Sequence, residues 1–241
     1  MADLVIRDLS KSYGENAERH TVLSHLSHEF SLDACTVILG KSGCGKTTLL
    51  RLMAGLETPD EGTIYWPPEH SFGMMFQEAR LMPWLTCRQN VALGKREASG
   101  GRSIDELLKL VHLTDAADRY PHELSGGMQQ RTALARTLAM NRRVILMDEP
   151  FAALDYFTRL RLQQELMDMK NQLHLGLILV THNVEEALNL ADTILVLENG
   201  NFTFEEEVPA GETKRDLLSP EFILLKRRLL DALQTDDSYK K

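Results

Sequence analysis

Gly40 to Thr48 reads GKSGCGKTT, and the fold of the chain follows from what surrounds it. Gly40, Gly45, Lys46 and Thr47 satisfy the G-x-x-x-x-G-K-[ST] arrangement, after an apolar strand at Thr36 to Leu39 and at the mouth of a helical pattern at Thr47 to Gly55. Leu49, Leu50, Leu52 and Met53 fall at helical spacing, and Gly55 suits the C-terminal cap. Strand, glycine loop and helix in this order make a phosphate cradle. Glycines let backbone N–H groups turn inward around phosphate oxygens, and the helix N-terminus adds partial positive charge. Lys46 reaches the β and γ phosphates, and Thr47 offers a hydroxyl to Mg²⁺. The predicted nucleotide contacts run through Gly40, Lys41, Ser42, Gly43, Cys44, Gly45, Lys46, Thr47 and Thr48.

A second element agrees with the first. Val144 to Met147 is an apolar strand that delivers Asp148 and Glu149 at its C-terminal end, where α/β sheets place ligands. Asp148 is suited to hold Mg²⁺, directly or through water. Glu149, one residue on, is suited to orient or deprotonate the water that attacks a γ-phosphate. Loop and carboxylates together specify a P-loop NTPase and no more.

The remaining pattern sets these elements in order. Leu4 to Leu9 and His28 to Leu32 read as strands, and strand-like runs recur at Leu177 to Val180 and Ile194 to Leu197. Helical patterns at Tyr156 to Leu173 and Val184 to Leu190 separate the later strands, which predicts a parallel sheet with crossover helices. From Glu78 to about Asn141 the pattern is mainly helical, clearest at Arg102 to Leu113 and Gly126 to Ala139. Glu198-Asn199-Gly200, between Ile194 to Leu197 and Phe202 to Glu205, predicts a hairpin turn, and Ser219-Pro220 predicts a capped amphipathic helix followed by a polar tail. The chain has 241 residues, 43% hydrophobic and 26% charged, the balance of a soluble globular protein. No run approaches the roughly 18 apolar residues that span a bilayer. The start, MADLVIRDLSKSYG, lacks a secretory pattern, so a cytoplasmic location is expected. Cys35, Cys44 and Cys87 have no metal-binding spacing and are expected to be free thiols; Cys44 lies inside the cradle, where an adduct would collide with phosphates. A net charge of −8 with scattered basic residues argues for protein partners and against nucleic acid.

Leu124-Ser125-Gly126-Gly127-Met128-Gln129-Gln130-Arg131 narrows the class. Ser125 caps a helix, Gly126 and Gly127 leave backbone N–H groups exposed, and the helix dipole favours an anion. Alone, SGG before a helix is an ordinary N-cap. Between the cradle and the Asp148-Glu149 strand, it resembles the signature sequence of the ATP-binding cassette (ABC) proteins. Further landmarks of that family follow in order. Tyr13 resembles the aromatic that stacks on adenine. Gln77, in MMFQEARLMPW, resembles the glutamine that senses Mg²⁺ and the attacking water. Ala153-Leu154-Asp155 resembles the loop that crosses between subunits, and His182 the switch histidine that contacts the γ-phosphate. The resemblance runs from about Leu4 to Gly200.

It implies an α/β fold, a P-loop NTPase (RecA-like) core with an N-terminal antiparallel β-subdomain and an inserted α-helical subdomain. The whole of 1–241 would be one ABC ATPase domain, with 1–77 and 142–210 as the nucleotide-binding core, 78–141 as the helical signature subdomain, and 211–241 as a C-terminal helix and polar tail. It also implies ATP and Mg²⁺, with Glu149, His182, Gln77 and Lys46 in catalysis and Thr47, Gln77 and Asp148 around the metal. Ser125, Gly126, Gly127 and Asp155 would complete the nucleotide site of a second copy, making a homodimer on ATP binding.

Phe76 to Trp84, Asn90 to Gly94 and Thr181 to Ala187 resemble the nitrate/sulfonate/taurine importer branch of that family. The implied partners are integral-membrane permease subunits and, through them, a periplasmic or extracellular solute-binding protein, at the cytoplasmic face of the membrane. Pro83 and Trp84 offer a rigid apolar surface beside Gln77 where a permease helix can dock, or else pack within the subdomain. Asn183 stands where Asp is usual, Ala152 where Gly is common, and Asp33-Ala34 where Gly-Glu often precedes the strand; none removes a phosphate or metal group. The alternatives are an exporter or lipid-transfer ATPase, a soluble non-transport ABC protein, and an inactive cassette, against which Lys46, Asp148, Glu149 and His182 all stand.

Overall fold

The computed structural model describes residues 3–14, 19–68, 71–95, 101–152, 154–209 and 215–234. Ala153 of the crossing loop and the polar tail after Gln234 lie outside the described residues. In chain order the elements are β1 (Asp3–Tyr13), β2 (His20–Ser31), β3 (Cys35–Leu39), α1 (Lys46–Met53), β4 (Glu61–Tyr65), β5 (Phe72–Met75), α2 (Cys87–Ala92), α3 (Ile104–Leu110), α4 (Gly126–Ala139), β6 (Val144–Asp148), α5 (Tyr156–Leu173), β7 (Gly176–Thr181), α6 (Val184–Leu190), β8 (Thr193–Glu198), β9 (Asn201–Glu207) and α7 (Pro220–Gln234). They fall into two compact units, one made of Met1–Glu69 and Gly176–Lys241, the other of His70–Leu175.

The first unit is built on β3, whose five residues CTVIL are all buried, as are the six of β7. Continuous aliphatic runs of this kind suit strands covered on both faces, which is why they pair in parallel. β3 pairs in parallel with β7 on one side and β8 on the other, and β9 runs antiparallel to β8. The predicted hairpin is formed, but Glu198 belongs to β8 and the connection is the two residues Asn199 at φ 49° and Gly200 at φ 78°, both left-handed as such a turn requires. α1 packs on β7, α6 on β3, and α7 on α6 and β8. A separate antiparallel sheet has the order β2-β1-β4.

β4 presents no apolar run, since EGTIY buries no residue fully, and β1 and β2 run longer than their apolar runs suggest because β1 carries a bulge. Arg7 pairs with Thr63 but Ser10 with Glu61, so one extra β1 residue sits opposite Gly62. Asp8 there has φ 51°, and a Cβ on Gly62 would lie 2.3 Å from the Asp8 carbonyl oxygen. Beyond the bulge the side chains change phase, and the alternation that marks a strand is lost.

The second unit holds the parallel pair β5–β6 and the helices α2 to α5. α4 is its axis, packed on α2, α3, α5 and β5. Its buried side is mostly small, with Ala133, Ala135, Thr137 and Ala139, and a Cβ on Gly73 of β5 would lie 2.7 Å from Thr137 Cγ2. Close approach replaces large side chains here. Among the described residues no helix is long and apolar enough to cross a membrane.

Among the described glycines of the first unit, the tightest backbone approach is at Gly176, where a Cβ would stand 1.9 Å from the Leu32 carbonyl oxygen. Gly176→Ala is therefore expected to destabilise the protein by about 2–4 kcal/mol. Gly55→Asn, at a left-handed position with nothing within 4 Å, is expected to cost under about 1 kcal/mol. Urea unfolding of the two variants checks the contrast, and equal stabilities would refute it.

Candidate nucleotide-binding and signature sites

The register of the first unit decides where its chemistry lies. Leu39 pairs with Thr181 and, on the other side, with Val196, so the chain leaves β3 and β7 at the same sheet edge. Gly40 and His182 are the next residues of those adjacent strands, and both predicted sites thus begin at one place. Gly40 cannot carry a side chain: a Cβ would lie 2.6 Å from both Cys44 Sγ and the Leu197 carbonyl oxygen. Gly43 and Gly45 have φ of 84° and 108°, which turns the loop back on itself. α1 begins at Gly45 with no side-chain cap and no acidic residue in its first turn, which leaves its terminal N–H groups for an anion.

Lys46 is only 5% exposed, and its ammonium donates to the carbonyls of Gly40 at 2.8 Å and Lys41 at 2.9 Å. The charge is held under the loop by neutral acceptors, from which an anionic phosphate can draw it. Tyr13, at the end of β1, is 41% exposed, and its hydroxyl oxygen lies 3.4 Å from Thr48 Oγ1. The structure therefore brings the predicted adenine-stacking ring to the cradle. Burial pushes the Cys44 thiol pKa up, with Lys46 opposing. Cys35 and Cys87 are buried, and none of the three cysteines is in a disulfide.

His182 is exposed on a turn fixed from both sides. Asn183 Oδ1 accepts from the backbone N–H groups of Glu185 at 2.9 Å and Glu186 at 3.3 Å, which caps α6. Thr181 Oγ1 accepts from the Asn183 N–H at 3.1 Å and donates to the buried Glu186 carboxylate at 2.5 Å. The departure at 183 leaves the cap intact.

The second unit carries the other predicted residues. Asp148, 6% exposed, ends β6. Glu149 follows at φ 42°, a left-handed conformation that costs a non-glycine residue about 1–2 kcal/mol and is typical of functional positions. Ser125 Oγ caps α4 by accepting from the Met128 N–H at 3.3 Å. Gly126 has nothing within 4 Å of a built Cβ, whereas one on Gly127 would meet Thr158 Cγ2 at 2.7 Å, so the starts of α4 and α5 lie together. Asp155 caps α5 by accepting from the Thr158 N–H at 3.1 Å, and its hydrogen bonds to Thr158 hold its carboxyl below the usual pKa.

Gln77 is exposed, and the segment after it is clamped by three side chains whose role the sequence did not reveal. Gln130 donates to the Gln77 carbonyl at 2.8 Å. Arg136, whose pKa burial lowers, donates to the carbonyls of Ala79 at 2.7 Å and Arg80 at 2.8 Å. Fully buried Asn90 accepts from the Met82 N–H at 2.7 Å and donates to the carbonyls of Met82, Leu85 and Thr86. Arginine and asparagine in helical patterns read as solvated or capping groups, and no spacing marks them as loop anchors. Trp84, inside this clamped segment, is 69% exposed and does not fill the core of its unit.

Thr47, in the first unit, and Gln77 and Asp148, in the second, carry the oxygen donors that a hard cation such as Mg²⁺ takes.

The sequence profile of the ABC transporter family matches residues 23–152. The chain is 39% identical to the taurine import ATP-binding protein TauB of Pseudomonas aeruginosa (strain UCBPP-PA14), over 96% of this chain and 95% of that one. It is 42% identical to the aliphatic sulfonates import ATP-binding protein SsuB 1 of Shouchella clausii, over 86% of this chain and 82% of that one. Among solved structures, it resembles the ATP-binding cassette MJ0796 in a dimeric, post-hydrolysis state bound to ADP and Pi, with TM-score 0.74 and 28% identity, over 86% of this chain and all (100%) of that one.

With Cys35 and Cys87 buried, thiol reagents should act at Cys44, and nucleotide should protect it. Because its pKa is raised, alkylation should keep accelerating with pH beyond the ordinary thiol pKa of about 8.5. Labelling followed by peptide mass analysis checks both points; a rate that levels off near pH 8, or one indifferent to ATP, would contradict them.

Proposed function

The chain belongs to the ABC transporter family as one of its ATP-binding, ATP-hydrolysing cassettes, and on that premise we propose that it energises an importer of small sulfonates such as taurine. The observation that carries the cargo assignment is the 39% identity to a taurine import ATP-binding protein over 96% of this chain. The Phe76 to Trp84 segment supports the same branch.

In this reading the cradle from Gly40 to Thr48 holds the triphosphate of ATP, and Lys46 leaves the Gly40 and Lys41 carbonyls for the β and γ phosphates. Tyr13 stacks on the adenine. Thr47, Asp148 and Gln77 hold Mg²⁺, which neutralises charge on the phosphates when bound. Glu149 takes the proton of the attacking water or orients it, and His182 contacts the γ-phosphate. Ser125, Gly126, Gly127 and Asp155 close on the nucleotide of a second copy, presenting the exposed Ser125 and Gly126 at the start of α4 to its γ-phosphate. Each copy is half of two sites, so ATP favours the closed dimer and hydrolysis releases it.

The output is mechanical. Trp84 and Pro83 form an exposed surface on a segment clamped to α4, where a short helix of a permease subunit docks at the cytoplasmic face of the membrane. A solute-binding protein outside the membrane delivers the sulfonate.

Three experiments test this. Glu149→Gln should retain ATP and run as a dimer on gel filtration with ATP but as a monomer without it. Lys46→Ala should lower ATP turnover about a hundredfold or more. In cells, Lys46→Ala should abolish uptake of radiolabelled taurine or short alkanesulfonates, and unchanged uptake of both would remove the sulfonate assignment.

A further inference from the structure

Tyr13 does more than project from a strand end. It pairs with His20 at the end of the β1–β2 ladder and precedes Gly14 at φ 85°, so its backbone is fixed while its ring has room to turn. Residues 54–60, between α1 and β4, reach Tyr13 through Glu57 and reach Lys11, which lies over its ring, through Thr58 and Asp60. The Tyr13 hydroxyl donates to the Glu57 carboxylate, with Thr48 Oγ1 on the other side of the phenolic oxygen at 3.4 Å. Glu57 is in turn paired with Arg51 of α1 at 3.4 Å. The Lys11 ammonium lies over the Tyr13 ring, 5.5 Å from its centroid. It is tied there by the Thr58 carbonyl at 2.8 Å and Asp60 Oδ1 at 3.2 Å. Asp60 also accepts from the Ser12 N–H at 2.8 Å, and its own N–H donates to the Ser10 carbonyl at 2.9 Å.

We propose that this connection presets the adenine platform: Glu57 fixes the hydroxyl of Tyr13, and Lys11, anchored by Thr58 and Asp60, covers one face of its ring, so that a single face in a single orientation is offered to the base. The inference rests on the reading of Tyr13 as the stacking residue. Lys11 and Glu57 act through Tyr13 and are positioning residues. An aromatic held in its bound rotamer loses no torsional freedom when a base stacks on it, and the gain falls on binding rather than on the chemical step. The cation over one face is an electrostatic partner for the ring quadrupole and leaves the opposite face for a nucleobase. The phenol remains a donor, since burial and then the Glu57 carboxylate push its pKa up. Because Thr48 belongs to the cradle, base platform and phosphate loop are held in one network.

The test is steady-state ATP hydrolysis by the full chain, with inhibition by magnesium tripolyphosphate, which occupies the cradle but has no base. Tyr13→Phe and Glu57→Ala should each raise KM for ATP about three- to tenfold, with the change in kcat within about twofold. The double variant should be no worse than either single one, because both remove the same bond. Glu57→Gln, whose amide oxygen still accepts, should recover most of the loss. The inhibition constant of tripolyphosphate should not move. If Tyr13→Ala raises KM while Tyr13→Phe and Glu57→Ala leave it alone, the ring stacks without being preset, and the inference fails while the reading of Tyr13 stands. If Tyr13→Ala leaves KM unchanged, the reading of Tyr13 itself fails. A parallel loss of tripolyphosphate inhibition in Glu57→Ala would mean a disturbed cradle and overturns the proposal.

Discussion

Parallel pairing of β3 between β7 and β8 is the constraint on which the chemistry of the first unit rests. Leu39 is in register with Thr181 and Val196, so two strands end together and hand their next residues, Gly40 and His182, to the same edge. The Leu197 carbonyl lies so close to Gly40 that a β-carbon would overlap it, and the loop has to turn there. The path of the phosphate loop is therefore dictated by sheet packing as well as by its own glycines. The residues predicted to meet a nucleotide in this unit follow strand ends or open a helix, and the β3–β7 ladder that holds them is buried throughout.

Much of this was legible because burial and composition agree. β3, β7 and β8 are unbroken aliphatic runs, and α5 and α6 begin at the residues that Asp155 and Asn183 cap. The two shortest or most exposed strands were not legible. β4, EGTIY, buries no residue fully, and β5, FGMM, gains its place from a glycine that lets Thr137 approach. Neither presents the alternation from which a strand is read. The site divides in the same way. The residues predicted to touch phosphate or metal sit in dense local motifs, because phosphate needs several donors within a few ångströms. Gln130, Arg136, Asn90 and Glu57 reach the segments they hold from distant parts of the sequence or by hydrogen bonds to carbonyls, which any sequence supplies, and Lys11 lies over a ring only two positions on without any motif that marks it.

The segment after Gln77 shows what such anchoring achieves. A connection without regular structure would ordinarily be a soft element, yet buried Asn90 alone satisfies four backbone groups within it. Arg136 and Gln130 add three more bonds from α4, the helix that Ser125 starts. An exposed tryptophan on a rigid support can transmit force, whereas on a soft loop it would absorb it.

Asn183 has a consequence of a different kind. A carboxylate at a helix cap can take up a proton in acid and then accepts hydrogen bonds less well; an amide oxygen has no such second state. The turn that carries His182 is thus capped by a group that keeps one form across the whole acid range, and position 183 adds no negative charge at the sheet edge where β3 hands over to Gly40.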